Sequence, residues 1–120
     1  MILGTGIDLV SISRFQEMSR KDKLADRILT EQEYEDYLAS TDQGLFLART
    51  WAVKEAVAKS FGTGIAEDVV WKNMQLNKTK KGQPVLKFYK SLHVPGRQCH
   101  ISISHGGDML IATAVLSYVS

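Results

Sequence analysis

Hydrophobic and polar positions change their spacing about half-way along the chain, and the first half begins with the pattern of a strand followed by helices. Residues 2–12 are apolar and β-branched, which predicts a buried strand, and the polar residues 13–22 predict a helix after it. Asp22 or Asp26 can start a short turn over residues 23–29. The N-terminal region is therefore expected to run from one strand into short polar elements.

Two further helices are predicted before the pattern changes. Residues 30–33, with the sequence TEQE, match a capping box, so a short helix should extend to Leu38. A loop is predicted at residues 39–44. Residues 45–61 contain no glycine or proline, and the sequence GTG at 62–64 ends this stretch as a helix stop should. We therefore predict one long helix here.

The long helix carries a stripe of small side chains at helical spacing, formed by Ala48, Ala52 and Ala56. Apolar residues cover most of its other directions. A helix that is apolar nearly all round is buried in a globular protein, so this one should pack at the centre of the molecule.

The second half has the two-residue period of β-strands. We predict four strands, at residues 69–77, 84–89, 98–105 and 109–119, with hairpin turns at residues 80–83 and 105–108. Helices grouped early and antiparallel strands grouped late indicate an α+β fold class, with the first strand joining or flanking the sheet. The absence of repeats and linkers predicts one domain over residues 1–120.

Composition narrows the class of protein. The chain has 120 residues, of which 44% are hydrophobic and 23% charged, as in an ordinary globular domain. Cys99 is the only cysteine and the N-terminus lacks the basic region of a signal peptide, so a cytoplasmic location is expected. No apolar run approaches the ~18 residues that suggest a membrane span, so no membrane partner is expected.

The formal net charge of +2 conceals two unlike halves. Residues 1–68 contain 8 Lys and Arg against 12 Asp and Glu, whereas residues 69–120 contain 7 against 1. The asymmetry is consistent with lysines that solvate sheet edges, or with an anion site shared between the halves.

Three positions suggest chemistry beyond folding. Asp8 lies among apolar neighbours, where a buried carboxylate requires a cation, a helix to cap or a metal. Glu55 and Lys59 are four residues apart on the long helix, as an ordinary helix-stabilising pair would be, but they project from a face predicted to pack. His105 ends a strand, where it is either a turn residue or a group that can bind phosphate near neutral pH.

Two carboxylates from different elements and a lysine one turn away suggest a divalent metal that acts on phosphate. Mg²⁺ takes one or two protein carboxylates and completes its shell with water and phosphate oxygens. The sequence contains no P-loop, no dinucleotide-binding fingerprint and no G-x-S-x-G elbow, which excludes nucleotide binding and hydrolase chemistry through those motifs.

Three segments, taken in order, resemble the holo-[acyl-carrier-protein] synthases, which are small 4'-phosphopantetheinyl transferases of about this length. They are GTGIDLVSISRF at 4–15, WAVKEAVAKSFGTGI at 51–65 and SISH at 102–105. The resemblance implies the phosphopantetheinyl transferase fold. It also implies transfer of the 4'-phosphopantetheine of coenzyme A to a serine of apo-acyl carrier protein, with release of adenosine 3',5'-bisphosphate, in fatty-acid biosynthesis.

Carried over to matching positions, the resemblance assigns roles to individual residues. It makes Asp8 and Glu55 the ligands of a Mg²⁺ cofactor, and it places Lys59 beside the coenzyme A pyrophosphate as a third catalytic residue. Gly62, Thr63 and Gly64 would shape the wall of the coenzyme A site, and His105 would contact the nucleotide end. The acceptor of the serine proton is left open between Glu55 and a metal-bound water.

The resemblance also implies two protein interfaces. Arg14 falls on a basic helix that receives the acidic helix of the carrier protein, and the basic surface continues through Arg20, Lys21, Lys23 and Arg27. The family is typically a homotrimer, in which His105 of one chain would face Asp8, Glu55 and Lys59 of its neighbour. Position 11 is Ser where the family commonly has Glu, so we predict that Ser11 caps a helix.

Two other functions compete with the transferase. A non-enzymatic module could bind acidic helices or nucleic acid through the basic second half, with Trp71, Phe88 and Tyr89 for stacking, but this leaves Asp8 and Glu55 unexplained. A Mg²⁺-dependent phosphohydrolase or nuclease explains the carboxylates but not the basic residues at 14–27. We expect no nucleic-acid partner.

Overall fold

The computed structural model describes residues 1–62 and 71–120, and it confirms the α+β class. The helices of these residues are α1 (Ile12–Gln16), α2 (Lys21–Ile28), α3 (Glu31–Ala39) and α4 (Gln43–Ser60), with 3₁₀ turns at Trp71–Asn73 and Lys90–Leu92. The strands are β1 (Ile2–Ser11), β2 (Met74–Lys78), β3 (Pro84–Phe88), β4 (Arg97–Gly106) and β5 (Met109–Tyr118). None of the described helices is long and apolar enough to cross a bilayer.

The strands form two antiparallel sheets. The larger sheet has the order β1-β5-β4, which confirms that the first strand joins the C-terminal strands. In its register Ala112 of β5 lies between Asp8 of β1 and Ile103 of β4. The second sheet is the hairpin of β2 and β3. Residues 71–73 lie within the strand predicted over residues 69–77 but form a 3₁₀ turn, and β2 begins at Met74. Residues 69 and 70 lie outside the described residues.

Helix α4 lies against one face of the larger sheet and provides the centre of the core, as the sequence predicts. Ala48, Ala52 and Ala56 are fully buried. A Cβ added to Gly6 of β1 would overlap the carbonyl oxygen of Ala56, and one added to Gly4 would overlap that of Ser60. The strand and the helix therefore meet backbone to backbone, which only glycine permits on the strand side.

The prediction that the first strand is buried is wrong for one of its faces. Every second side chain of β1 points toward α4, while Ile7 and Leu9 remain 54% and 59% exposed on the opposite face. The reason is that α4 covers the sheet on one side only, and the central strand β5 shows the same alternation.

The predicted helix over residues 13–22 is broken in two. Helix α1 ends at Gln16, which packs against Gly44 at the start of α4 more closely than a Cβ would allow. The chain then turns, and α2 occupies the region predicted as a turn because it buries Ala25 and Ile28. The predicted capping box is present, with Thr30 and Glu33 bonded in both directions.

The turn between β4 and β5 meets the start of α1. Ser11 caps this helix as predicted, through a bond from the backbone N–H of Arg14 to its hydroxyl oxygen. Asp108, the one acid of the second half, accepts hydrogen bonds from Ser11 and Ser13, and these bonds hold the pKa of its carboxyl below the usual value. The β4–β5 hairpin is thereby fixed to the end of β1.

The α4 helix itself begins at Gln43, two residues earlier than predicted. Asp42 supplies the reason, because its carboxylate accepts a hydrogen bond from the backbone N–H of Leu45 at 3.0 Å and caps the helix. Part of the predicted loop at residues 39–44 is therefore helical.

The close contact between β1 and α4 can be tested by adding one methyl group to a glycine of β1. Gly6→Ala should lower the free energy of unfolding by about 1–3 kcal/mol, because the helix must move away from the strand. Gly106→Ala is the matched control, since no heavy atom lies within 4 Å of its added Cβ. Denaturant unfolding measures both variants, and equal stabilities would contradict the proposed close contact.

Candidate active site

Asp8 and Lys59 meet where β1 passes the C-terminal half of α4. The ammonium of Lys59 donates to Asp8 Oδ1 at 3.1 Å and to the carbonyl oxygen of Ile7 at 3.0 Å. The Asp8 side chain is 14% exposed, whereas that of Lys59 is 50% exposed. The lysine therefore reaches the carboxylate from the solvent side and remains accessible.

The second carboxylate oxygen of Asp8 has no such partner. Oδ2 is buried and accepts no hydrogen bond from the described residues. A buried carboxylate oxygen without a partner costs free energy, so the geometry favours an additional cation or donor at this point.

Glu55 adds a second carboxylate to the same place. It is partly buried on α4, one turn before Lys59. Burial, followed by the negative charge of Asp8, raises the pKa of Glu55, and the positive charge of Lys59 opposes the rise. The structure thus brings together all three residues that the sequence singled out, in a cluster with two carboxylates and one ammonium.

This cluster suits Mg²⁺. Among residues 1–62 and 71–120 there is no group of three or more His, Cys, Asp and Glu that could hold a metal. Mg²⁺ does not require one, because it is commonly bound by one or two carboxylates and leaves its other positions to water and phosphate. The unpartnered Asp8 Oδ2 and the neighbouring Glu55 therefore fit this ion.

The structure separates His105 from this cluster within one chain. His105 pairs with Leu110 of β5, and Leu110 pairs with Val10 of β1 on its other side. With β5 between them and strands spaced about 4.8 Å apart, His105 and β1 are roughly 10 Å apart. His105 is exposed at the other edge of the sheet.

The predicted glycine-rich wall is described only at its first residue. Gly62 follows α4 with a φ of 82°, and its N–H donates to the carbonyl oxygen of Lys59 at 3.0 Å. This left-handed conformation suits glycine. Thr63 and Gly64 lie outside the described residues.

The predicted basic surface covers α1 and α2. Arg14 is exposed on α1, Arg20 is exposed immediately before α2, and Lys23 and Arg27 are exposed one turn apart on the same side of α2. Lys21 differs from them, because its ammonium is held by the carbonyl oxygen of Met18 at 3.0 Å.

The neighbouring acids do not all compete with this surface. Asp22 accepts a hydrogen bond from the hydroxyl of Tyr37 at 2.8 Å, on the side of α2 that packs against the core. A cavity of about 280 Å³ lies beside Arg14 and is lined with apolar side chains, among them Met18, Leu24 and Trp51. The surface therefore combines exposed cations with an apolar recess.

Sequence reasoning missed a buried ion pair. Lys54, next to Glu55 on α4, is fully buried and lies 2.7 Å from Glu33, which the sequence assigned only to helix capping. Lys54 has apolar Trp51 and Val57 one turn away on either side in a helix predicted to be buried, and a charged residue in these surroundings is a sign of a buried partner.

Comparison with known proteins identifies the family of this chain. Residues 4–116 match the family model of the 4'-phosphopantetheinyl transferase superfamily. The chain belongs to this superfamily. Two relatives, both holo-[acyl-carrier-protein] synthases, resemble it over nearly its full length. The Geobacillus sp. (strain WCH70) protein is 37% identical over 125 residues, covering 100% of each chain, and the Geobacter sp. (strain M21) protein is 35% identical over 123 residues, covering 97% of this chain and 98% of its own.

Solved structures agree with the fold of this transferase. A holo-(acyl-carrier-protein) synthase from Bacillus anthracis str. Ames, in complex with CoA (3',5'-ADP), superposes with a TM-score of 0.85 at 32% identity, covering 99% of each chain. The synthase from Neisseria meningitidis gives 0.83 at 29% identity, covering 98% of this chain and 99% of its own. The family resemblance seen in the sequence is confirmed.

Proposed function

We propose that this chain transfers the 4'-phosphopantetheine group of coenzyme A to a serine of apo-acyl carrier protein, with Mg²⁺ as cofactor. The observation that carries the proposal is the meeting of Asp8, Glu55 and Lys59, with one buried carboxylate oxygen unpartnered. The names of the relatives and the coenzyme A bound to the Bacillus anthracis synthase support both substrates.

In this reaction the serine hydroxyl oxygen forms a bond to the β-phosphorus, and the bond from that phosphorus to the oxygen of adenosine 3',5'-bisphosphate breaks. Asp8 and Glu55 would hold Mg²⁺, which when bound neutralises phosphate charge and orients the phosphates. Lys59 is half exposed, so its ammonium can contact the departing phosphate and offset its charge.

The acceptor of the serine proton is either Glu55, which lies beside Asp8, or a water held by the metal. Gly62, Thr63 and Gly64 would line the coenzyme A site, and His105 would contact its nucleotide end.

The carrier protein would dock on the basic surface of α1 and α2. Arg14, Arg20, Lys23 and Arg27 are exposed there, and an acidic helix would complement them. Lys21 contributes its charge while its ammonium is tethered to Met18. The apolar recess beside Arg14 would accept a side chain of the partner.

A homotrimer would complete the site, and the larger sheet supports it. The outer face of that sheet exposes Ile7 and Leu9, and Leu9 pairs with Ile111 to continue the apolar surface onto β5. Exposed apolar faces of this kind mark association sites. Because His105 lies at the opposite edge from Asp8, a neighbouring chain would be needed to bring the two together.

Family membership favours the transferase over the two competing functions. The lysines of the β2–β3 hairpin need no nucleic acid to explain them, since exposed lysines commonly protect sheet edges. We also propose a cytoplasmic location and a role in fatty-acid biosynthesis, supported by the free, buried Cys99 and by the relatives.

The proposed activity is tested by intact mass. Apo-acyl carrier protein incubated with coenzyme A, Mg²⁺ and this chain should gain the mass of phosphopantetheine. Asp8→Asn and Glu55→Gln should reduce the rate by on the order of 100-fold or more, with retained folding. Glu35→Gln, an exposed carboxylate on α3, should act as wild type.

Other outcomes of this assay discriminate against the proposal. Hydrolysis of coenzyme A without transfer would indicate a phosphohydrolase, and binding without any mass change would indicate a non-enzymatic module. Full activity of either carboxylate variant would refute the metal assignment.

The dock is tested by charge reversal. Arg14→Glu should raise KM for the carrier protein by about tenfold, with a steep dependence on salt, and leave KM for coenzyme A unchanged. Lys80→Glu, an equal reversal on the β2–β3 hairpin, should change neither constant. If Lys80→Glu instead raised KM for the carrier protein, the carrier protein would bind to the second half of the chain and not to α1 and α2.

The oligomeric state is measured by native mass spectrometry. The wild type should have three times the mass of one chain. Leu9→Asp should dissociate it, because three carboxylates would be buried in the apolar sheet face. A monomeric wild type would contradict the trimer.

A further inference from the structure

A fully buried ion pair lies on the side of α4 away from the candidate active site. The Lys54 ammonium donates to Glu33 Oε1 at 2.7 Å, to the carbonyl oxygen of Ile28 at 2.8 Å and to that of Trp71 at 3.0 Å. Neither side chain of the pair has appreciable exposure. All three protons of the ammonium therefore have a partner.

Both carboxylate oxygens of Glu33 also accept hydrogen bonds from the backbone. Its Oε1 also accepts from the backbone N–H of Thr30 at 2.9 Å, and its Oε2 accepts from that of Leu76 at 2.7 Å. The pair therefore joins α4 to the end of α2, the start of α3, the turn at Trp71 and strand β2.

Stability alone does not explain such a pair. Two buried charges lose their hydration, and well-packed apolar side chains of similar volume commonly stabilise a core as well or better. Burial lowers the pKa of Lys54, which reflects this cost, while Glu33 opposes the shift. The ion pair instead fixes the relative positions of the elements that it joins, because each hydrogen bond holds one acceptor at a defined position.

The position of Lys54 connects two parts of the proposed enzyme. It precedes Glu55 in sequence, and successive residues of a helix are about 100° apart, so Lys54 faces α2 and α3 while Glu55 faces β1. Ile28, whose carbonyl oxygen Lys54 holds, is the last residue of α2. The exposed face of α2 carries Lys23 and Arg27 of the proposed dock, and Arg20 lies immediately before the helix.

We propose that Lys54 is a positioning residue for the carrier-protein substrate: its bond to Ile28 fixes the basic face of α2 relative to Glu55 and Lys59. This inference rests on the proposed function. It assigns Lys54 no contact with substrate. The substrate serine reaches the phosphate only if the docked carrier protein is correctly placed, and the Lys54–Ile28 bond sets that placement.

The test removes both charges together, because a single removal would leave an uncompensated buried charge. In Lys54→Met/Glu33→Gln the methionine fills the space of the lysine stem without donating a hydrogen bond, and the glutamine retains an acceptor and a donor. We expect KM for the carrier protein to rise by about tenfold, which corresponds to 1.4 kcal/mol. KM for coenzyme A and the affinity for Mn²⁺ should change by less than about twofold, within ordinary mutational scatter.

Two further readouts separate positioning from general loss of stability. The carrier-protein KM of the double variant should depend less on salt than that of the wild type, because the cations of α2 are displaced. Lys54→Arg, which keeps a buried cation with several donors, should restore part of the affinity. Val57→Ala is the matched control, since Val57 is fully buried on the same helix but packs in a different core cluster from Ala25 and Ile28 of α2. It should destabilise the helix and leave both KM values unchanged.

Hydrogen exchange provides a measurement that does not depend on activity. Amides of α2 should exchange faster in the double variant, while those of α4 should not. A folded double variant with unchanged carrier-protein KM would overturn the proposal, as would equal changes in both KM values. If the double variant fails to fold, Lys54→Arg decides, because a planar guanidinium cannot place three donors at the position of the ammonium. A carrier-protein KM above the wild-type value, with a weaker dependence on salt, supports the proposal, and wild-type values contradict it.

Failure of the proposed function is distinguishable from failure of this inference. If the wild type does not modify the carrier protein, the proposed function fails. Unchanged α2 exchange in the double variant would refute the link through Lys54 whether or not transfer occurs.

Discussion

The backbones of β1 and α4 touch at Gly4 and Gly6, and the arrangement of the candidate active site depends on that contact. Because the strand lies directly on the helix, Asp8 is brought to Lys59 over a short distance even though 50 residues separate them in sequence. A larger residue at either glycine would push the helix outward and separate the carboxylates. The small side chain of Ala56 on the helix completes the fit. The glycines of the GTGID segment are therefore required for the geometry of the site as much as for the fold.

Helix α4 uses two of its faces for different purposes. Glu55 and Lys59 face β1, where an unpartnered carboxylate oxygen fits a metal, while Lys54 faces α2 and α3, where every polar atom of the ion pair has a partner. Several acidic residues of the first half are likewise occupied by hydrogen bonds within the fold. Glu33 is paired with Lys54, Asp22 accepts from Tyr37, and Asp42 caps α4. This explains how a half with excess negative charge can still present a basic surface on α2.

Much of this could be predicted from the sequence, because the signals were local. The capping box at Thr30, the uninterrupted α4 and the alternating C-terminal strands each follow from near neighbours in the chain. The break between α1 and α2 could not be predicted in this way, since it depends on the packing of Gln16 against Gly44. The exposed face of β1 depends likewise on the packing of α4 against one side of the sheet only.

In the candidate active site, too, some features could be predicted from the sequence and others depend on how distant segments pack. Asp8, Glu55 and Lys59 could be singled out because charged residues in apolar surroundings stand out in a sequence, and the structure brings them together. The Lys54–Glu33 pair was missed because its partners come from four different elements, and no local pattern joins them. The separation of His105 from Asp8 follows from strand order, which no single segment contains.

The central claim is that Asp8 and Glu55 together hold the metal that acts on the coenzyme A phosphates. Anomalous diffraction from crystals soaked with Mn²⁺ and coenzyme A tests it directly. The account predicts one Mn²⁺ bound by oxygens of both carboxylates and of the coenzyme A phosphates, with the Lys59 ammonium beside those phosphates. Coenzyme A bound with no Mn²⁺ at Asp8 and Glu55, or bound at a site remote from both, would contradict it.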